Sequence, residues 1–457
     1  MEVYRGLGIE DEIRAQRTGD QKSGEIARAQ SLLSSEVRFM GKPWADTAGL
    51  SAVTAETCDQ DHLEPILRTY ALQHGADVRF ATELLELEQD EHEVRARIRD
   101  LKSGASALIT ADFAIACDGV AGKTGERIGI GRHGPGVLQQ WMNLIFESDL
   151  EPFLQGKRIT SCFVTDLNAS IVPRADRWLL ALQYSPEHGE KPEDFDQART
   201  QELVRRAAGR ADVKAQLFDA RSWEVTAYVA DRFASGRVFL LGDAAHSMPP
   251  TGGFGGNTGI HDAHNLAWKI ALVASGKAGM GLLETYDAER RPVAEATLAQ
   301  ALARLSAWFR NLGERLPLPA KIRDDMDVIF GQRYLSGPFS KQQACGASDV
   351  FEDARHPSAS PGTRAPHLLV RVGARMVPIH DLVGTSFVVL CTAQAGEWSA
   401  AAREVMQRQG VPTNVAGVAP AAPIATTRPA AAYRLTDGEA VLIRPDGIIL
   451  AIQQNTR

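Results

Sequence analysis

Residues 236–259 read Gly-Arg-Val-Phe-Leu-Leu-Gly-Asp-Ala-Ala-His-Ser-Met-Pro-Pro-Thr-Gly-Gly-Phe-Gly-Gly-Asn-Thr-Gly. A short apolar strand ends on a carboxylate, Asp243, and Pro249 and Pro250 then stiffen a loop. Five glycines (Gly252, Gly253, Gly255, Gly256 and Gly259) leave backbone amides bare just before a helical pattern. That combination builds a flat, rigid cradle whose amides and helix N-terminus can face an electron-rich ring or an anion. The candidate binding residues are therefore Gly242, Asp243, Pro250, Gly252, Gly253, Gly255, Gly256 and Asn257. A loop of purely structural use would not explain a strand-end carboxylate beside so many glycines. Two other stretches imitate phosphate loops less well. Gly129-Ile130-Gly131-Arg132-His133-Gly134 matches G-x-G-x-x-G, but Pro135-Gly136 follows where a helix should open. Gly122-Lys123-Thr124 lacks its upstream glycine, because Cys117 stands there.

The elements around the cradle follow from periodicity. After the strand at 237–241, a helix is expected from about Ile260 to Ser275, with Ile260, Ala263, Ala267, Ile270 and Ala274 as its apolar face and Gly276 as its stop. A second helix is expected over 292–312, with Pro292 in its first turn. Residues 1–35 read as helical, and another helix runs from about Asp61 to a C-cap at Gly75. Residues 78–80, 94–98 and 113–117 read as strands, and the acidic run 86–93 as a solvated hairpin edge. The block from about 138 to 230 is strand-rich, including 178–182, with one helical insertion near 201–208. Residues 335–366 form a Gly/Ser/Pro-rich linker or strap. Beyond 367 the order β, β, α, β, β describes a small α/β domain.

Composition narrows the class. At 44% hydrophobic and 457 residues the chain suits about three folded domains at ~150 residues each, and excludes a disordered or collagen-like chain. No apolar run reaches the ~18 residues of a membrane helix, and the N-terminus lacks a signal-peptide core. The net charge of −7 gives no basic footprint for nucleic acid or anionic lipid. Five well-separated cysteines (Cys58, Cys117, Cys162, Cys345 and Cys391) fit reduced thiols, so a cytoplasmic protein is expected.

The 236–259 stretch, with the continuation His261-Asp262-Ala263-His264-Asn265-Leu266-Ala267-Trp268-Lys269, resembles the second flavin fingerprint of the single-component FAD-dependent aromatic hydroxylases. This is the family of para-hydroxybenzoate hydroxylase, and the likeness is greatest to the branch acting on polycyclic aromatic polyketides. Cys58-Asp59-Gln60-Asp61-His62-Leu63-Glu64-Pro65 resembles the family's Gln-containing helix start, and Ala116-Cys117-Asp118-Gly119 its Asp-Gly after a strand. Residues 286–292 and the strap 361–367 fit as well, and the tail resembles the branch's thioredoxin-like appendage, in which Cys391 stands alone.

The resemblance implies an α/β fold: a Rossmann-like FAD-binding domain of glutathione reductase type (1–135 and 232–340), a substrate-binding sheet domain (136–231), and a linker plus thioredoxin-like domain (341–457). It implies that Asp243 binds the ribityl chain, that the glycine amides with Asn257 hold the isoalloxazine ring, and that Gln60 and Asp118 lie near FAD. It leaves His246, His261 and His264 structural, with no metal. Two departures stand out. Val120–Gly125 replaces the Ser and Arg usual after Asp-Gly, which weakens any pyrophosphate or NADPH contact there. Met1–Ile9 already resembles the helix that follows the first βαβ unit, so the domain is expected to be truncated at its N-terminus, without G-x-G-x-x-G.

The implied activity is monooxygenation: NAD(P)H reduces FAD, dioxygen gives a flavin hydroperoxide, and an oxygen atom passes to a phenolic or polycyclic aromatic ring. Trp141, Phe163, Trp178 and Trp223 are candidates to line the substrate floor. No catalytic base is identifiable. The expected partners are a small aromatic substrate and dioxygen, without nucleic acid or membrane, for a monomer or homodimer. The alternatives are a Baeyer–Villiger monooxygenase on the same scaffold, or an inactive truncated paralogue that binds a partner.

Overall fold

The computed structural model describes residues 1–17, 24–41, 47–154, 156–174, 176–308, 316, 321–337, 349–392, 396–417, 433, 435 and 438–453. The end expected for the second helix (309–312) and Cys345 lie outside these residues.

An eight-stranded sheet forms the centre. Its strands run, edge to edge, His246–Ser247, Ala215–Ala230, Arg132–Ser148, Trp178–Tyr184, Ala169–Pro173, Ile159–Val164, Glu25–Ala29 and Val37–Gly41. Alternation along each strand sorts two faces. On one, Met142, Leu144, Phe146, Trp178, Leu180, Ile171 and Cys162 pack under the helix Gln197–Ala208, each nearly or fully buried. That helix starts where Asp196 accepts the Arg199 amide at 2.9 Å and ends at Gly209, whose φ of 77° needs no Cβ. Each fully buried Leu or Phe of this core contributes ~1.5–3 kcal/mol. The other face, carrying Asn143, Ala181, Phe163 and Trp223, is only partly covered.

A second, three-stranded sheet pairs Val238–Leu240 with Ala234–Ser235 and, in parallel, with Ala114–Ala116. The hairpin Thr82–Gln89/Val94–Asp100 carries the acidic run at its turn, where Asp90 accepts the amides of His92 and Glu93. A six-stranded sheet with the helix Gly396–Gln409 makes the C-terminal domain. The segments Leu369–Val372 and Thr413–Gly417 add two strands to the expected order there.

The structure corrects several expectations. Residues 1–35 are not one helical stretch. Gly8 (φ 78°) separates the helices Glu2–Gly6 and Glu10–Ala15, and Glu25–Ala29 is a strand added in parallel to Ile159–Val164. The central sheet therefore reaches beyond 136–231. Residues 78–80 are not a strand, because Ala81 (φ 51°) turns the chain and pairing begins only at Thr82. Pro292 lies inside the 28-residue helix Gly281–Trp308 rather than in its first turn. A proline there leaves the carbonyl four residues back without its helical donor, and the Ser336 hydroxyl donates to that Ala288 oxygen at 3.0 Å.

The helix Phe254–Ala274 buries the opposite face from the one its alanines suggest. Ala263, Ala267 and Ala274 are exposed, whereas Asp262, Asn265 and Lys269 are fully buried. Pairing makes this possible. Arg290 donates to Asp262 at 2.7 Å, and Lys269, Asn265 and Arg444 all donate to Glu289 at 2.7–2.8 Å. Arg444 also binds Asp446. This buried lattice of three cations and three carboxylates bolts the C-terminal domain, through Arg444 and Asp446, onto the two long helices. Among the described residues no helix is long and apolar enough to cross a membrane.

Candidate functional site

Parallel pairing of Val238–Leu240 with Ala114–Ala116 brings the two strand ends together: the Leu241 amide donates to the Ala116 carbonyl at 3.0 Å. The Asp118 and Asp243 loops thus emerge side by side from the carboxyl ends of parallel strands, the place where open α/β sheets bind ligands. Two glycines let the second loop close onto the helix behind it. Gly242 has φ 59°, and a Cβ on Gly259 would come within 3.2 Å of the Gly242 Cα.

The loop then turns through Gly252 (φ 95°) and Gly253 (φ 66°), the latter capping the helix that begins at Phe254. A Cβ on Gly252 would strike the Phe254 ring at 2.4 Å, so this turn is itself the reason for that glycine. The Asn257 amide donates back to the Gly253 carbonyl at 2.8 Å. Gly255 and Gly256, in the first helical turn, are different. A Cβ on Gly255 would make ordinary contact with Met248 at 3.6 Å, and one on Gly256 would meet nothing within 4 Å. The fold does not require glycine at either position, no side chain caps this helix start, and Gly256 and Pro250 are both exposed.

Asp243 sits at the mouth of this cradle. Its carbonyl accepts the Tyr228 hydroxyl at 2.7 Å, while its carboxylate has no hydrogen-bond partner among the described residues. Partial desolvation pushes that carboxyl above the usual range, with His246 pulling the other way. Asp118 is engaged instead: one oxygen accepts both the amide (3.0 Å) and the hydroxyl (2.8 Å) of Thr124. A Cβ on Gly122 would fall 2.2 Å from the Asp118 carboxyl carbon, so Gly122 serves this latch rather than a phosphate. The Gly129–Gly134 stretch runs into the strand Arg132–Ser148, with no helix to follow.

Gln60 opens the helix Gln60–Gln73, which packs through Leu63, Ile66 and Leu67 with Tyr4, Ile9, Ile13 and Ile260 against the cradle helix. Its side chain is exposed and bonded to Glu64, and no described hydrogen bond joins it to the glycine loop. The His246 Nε2 group donates to the buried Asp262 carboxylate at 2.6 Å, and burial pushes His261 down to about 4 and lowers His264.

The candidate floor residues divide. Trp141, Phe163 and Trp223 share the partly covered sheet face, with the Trp141 and Trp223 rings 5.9 Å apart. Trp178 pairs with Phe146 and points into the sealed core on the other face, so its expected place on the floor is corrected. One helix joins floor and cradle. Thr251 of the loop donates to the Ala301 carbonyl at 2.6 Å, and Leu305, one turn on, packs on Trp141 and Val225. Three residues here escaped the sequence reading. Tyr228 and Arg132, whose guanidinium lies 4.6 Å from the Tyr228 ring centroid, wall the cradle, and Asn143 lies on the open floor. Only Asn143 left a trace in the sequence, as an amide interrupting the apolar run 141–146.

Comparison with known proteins gives the family of the chain. The FAD binding domain family matches residues 1–301, and the C-terminal region of aromatic-ring hydroxylases matches residues 358–457. The tetracenomycin A2 monooxygenase-dioxygenase of Streptomyces glaucescens is 36% identical over 482 residues, spanning 98% of this chain and 84% of its own length. The 4-methyl-5-nitrocatechol 5-monooxygenase of a Burkholderia species is 35% identical over 469 residues, with the same two coverages of 98% and 84%. Among solved structures, the ternary complex of aklavinone-11 hydroxylase with FAD and aklavinone superposes with a TM-score of 0.90 at 32% identity, covering 99% of this chain and 86% of that one.

Proposed function

The chain belongs to the FAD-dependent aromatic-ring hydroxylases, in the branch of the polyketide hydroxylases, and from that premise we propose that it holds FAD at the Gly242–Asn257 cradle and hydroxylates a planar, polycyclic phenol laid on the open sheet face. The single observation carrying the site assignment is that the helix packed on the Gly242–Ala244 turn, where the Asp243 carboxylate has no hydrogen-bond partner among the described residues, opens with two glycines, Gly255 and Gly256, that its packing does not need. Bare amides at a helix start suit the electron-rich edge of an isoalloxazine, and a carboxylate suits the hydroxyls of a ribityl chain.

When bound, FAD supplies the redox chemistry that couples NAD(P)H oxidation to dioxygen activation. The chain's own residues do the rest. Asp243 anchors the sugar chain, the amides of Gly255, Gly256 and Asn257 fix the ring plane, and Gly252 and Gly253 shape the turn that presents them. Gln60 and Asp118 would contribute to holding the cofactor, Asp118 through the carboxylate oxygen that Thr124 leaves free. Trp141, Phe163 and Trp223 orient the aromatic substrate and keep water from the reacting face. A polycyclic substrate is favoured over a single ring by the breadth of the floor, which crosses several strands ~4.8 Å apart. A cytoplasmic site of action, with Cys58, Cys117, Cys162 and Cys391 as free thiols, completes the proposal.

The test is an FAD titration followed by flavin fluorescence, then NAD(P)H oxidation with and without a hydroxyanthraquinone. Asp243→Asn keeps the shape and removes the charge, and is expected to weaken FAD at least tenfold. Full FAD affinity in that variant would remove Asp243 from the site. A lactone product in place of a phenol would convert the reading to Baeyer–Villiger oxygen insertion.

A further inference from the structure

The open face of the central sheet carries one row that crosses six strands in register. Arg28 pairs with Phe163, Phe163 with Ser170, Ser170 with Ala181, Ala181 with Asn143, and Asn143 with Arg221. At ~4.8 Å per strand, Phe163 and Asn143 stand ~14 Å apart, with only Ser170 and the methyl of Ala181 between them. This is a shallow trough with an aromatic wall at one end and a carboxamide at the other. The Arg28 guanidinium lies 5.3 Å from the Phe163 ring centroid, and Arg221, bonded to Asp219, closes the far end.

Asn143 is not free to rotate within this trough. The Trp223 indole N–H donates to its Oδ1 at 3.0 Å, and Trp223 is itself stacked at a tilt on Trp141, under Leu305. An indole nitrogen can only donate, so it fixes which end of the amide is oxygen. The Nδ2 group, with two donors, then has no partner among the described residues, and it faces the partly covered side of the sheet. A half-buried NH2 held in a fixed direction over an apolar floor recognises an oxygen acceptor and disfavours a hydrocarbon edge.

We propose that Asn143, locked by Trp223, is a specificity-determining residue that donates to a carbonyl or phenolate oxygen on the edge of a fused-ring substrate and so sets which ring lies toward the cradle. This inference rests on the hydroxylase reading for the class of ligand. The expected ligand is a planar, oxygenated polycycle whose ring system spans the Phe163–Asn143 interval. The cations Arg28 and Arg221 at the two ends of the row favour ionised phenols over neutral arenes.

The experiment titrates the intact chain with 1,8-dihydroxy-9,10-anthraquinone and, separately, with anthracene, following quenching of tryptophan fluorescence. The wild type is expected to bind the quinone at least tenfold more tightly than the hydrocarbon. Asn143→Asp, nearly isosteric but an acceptor in place of a donor, should erase that preference while leaving anthracene binding unchanged. Trp223→Phe keeps a ring but frees the amide, and should reduce the preference partway. Asn143→Leu carries the test should the Asp variant not fold. A preference unchanged in the Asn143 variants overturns the specificity role while leaving the hydroxylase reading intact. Failure of the wild type to bind either probe overturns the floor itself and this inference with it.

Discussion

Gly255 offers a perturbation whose two consequences have opposite signs. It lies in the first turn of the helix Phe254–Ala274, has an ordinary helical φ, and an alanine methyl there would meet Met248 at 3.6 Å, a normal packing distance. The folded chain alone gains by the change, because glycine in a helix costs up to ~1 kcal/mol relative to alanine. Gly255→Ala should therefore leave the thermal midpoint of the ligand-free protein unchanged or raise it. If the outward side of this turn is where a flavin ring lies against bare backbone, the same methyl must hold the ring off its amide donors. Losing one such charge-favoured hydrogen bond is worth ~1.5–3 kcal/mol, a ten- to hundredfold loss of FAD affinity. Differential scanning fluorimetry and flavin fluorescence titration measure the two effects on one sample. A variant that binds FAD as the wild type does refutes the placement of the ring. A variant destabilised by more than ~1 kcal/mol without ligand refutes the claim that the fold does not need this glycine.

Three further outcomes follow from the packing. Arg444→Met leaves Glu289 and Asp446 buried with only Lys269 as a cation beside them, and should cost ~3–5 kcal/mol, seen in calorimetry as an early, separate transition of the C-terminal domain; one unshifted transition would contradict the bolting role. Ser336→Ala strips the donor from the Ala288 carbonyl that Pro292 leaves open and should destabilise by ~1 kcal/mol, read as a lower midpoint in urea. His380 has both ring nitrogens buried without partners, and burial pushes it down to about 4. Its folded state favours the neutral form, so this stability is complete above the unfolded value of ~6.5 and is lost as pH falls toward 4, by an amount on the order of 3 kcal/mol. His380→Asn should flatten midpoint against pH across that window, and an unchanged slope would remove His380 as the cause.

The shape of the loop was legible because its residues are contiguous: Asp243, the two prolines and the glycines lie within one stretch, and the turns at Gly242, Gly252 and Gly253 depend on φ more than on distant partners. The helix behind it was legible at its C-terminal end, but it begins at Phe254 rather than near Ile260, and its orientation was not legible. A pattern of alanines at 263, 267 and 274 suggests a buried face, whereas the buried face is the charged one. Residues from elsewhere along the chain, Arg290 and His246 for Asp262 and Glu289 for Lys269, compensate these buried charges, and no local periodicity reports such pairing. The same holds for Glu25–Ala29, which is a strand because Ile159–Val164, far along the chain, and Val37–Gly41 pair with it on either side. Trp178 and Trp223 looked equivalent as aromatics. Strand register separates them, since one residue's difference in parity sends a side chain to the sealed face or to the open one.

The most direct test of the account uses isotopic oxygen. The chain, loaded with FAD and given NAD(P)H and a hydroxyanthraquinone under ¹⁸O₂, should yield a product carrying one additional phenolic oxygen, labelled from dioxygen, with Asp243→Asn strongly impaired. Unlabelled oxygen in the product, or labelled oxygen found only in hydrogen peroxide at every substrate tried, would contradict it.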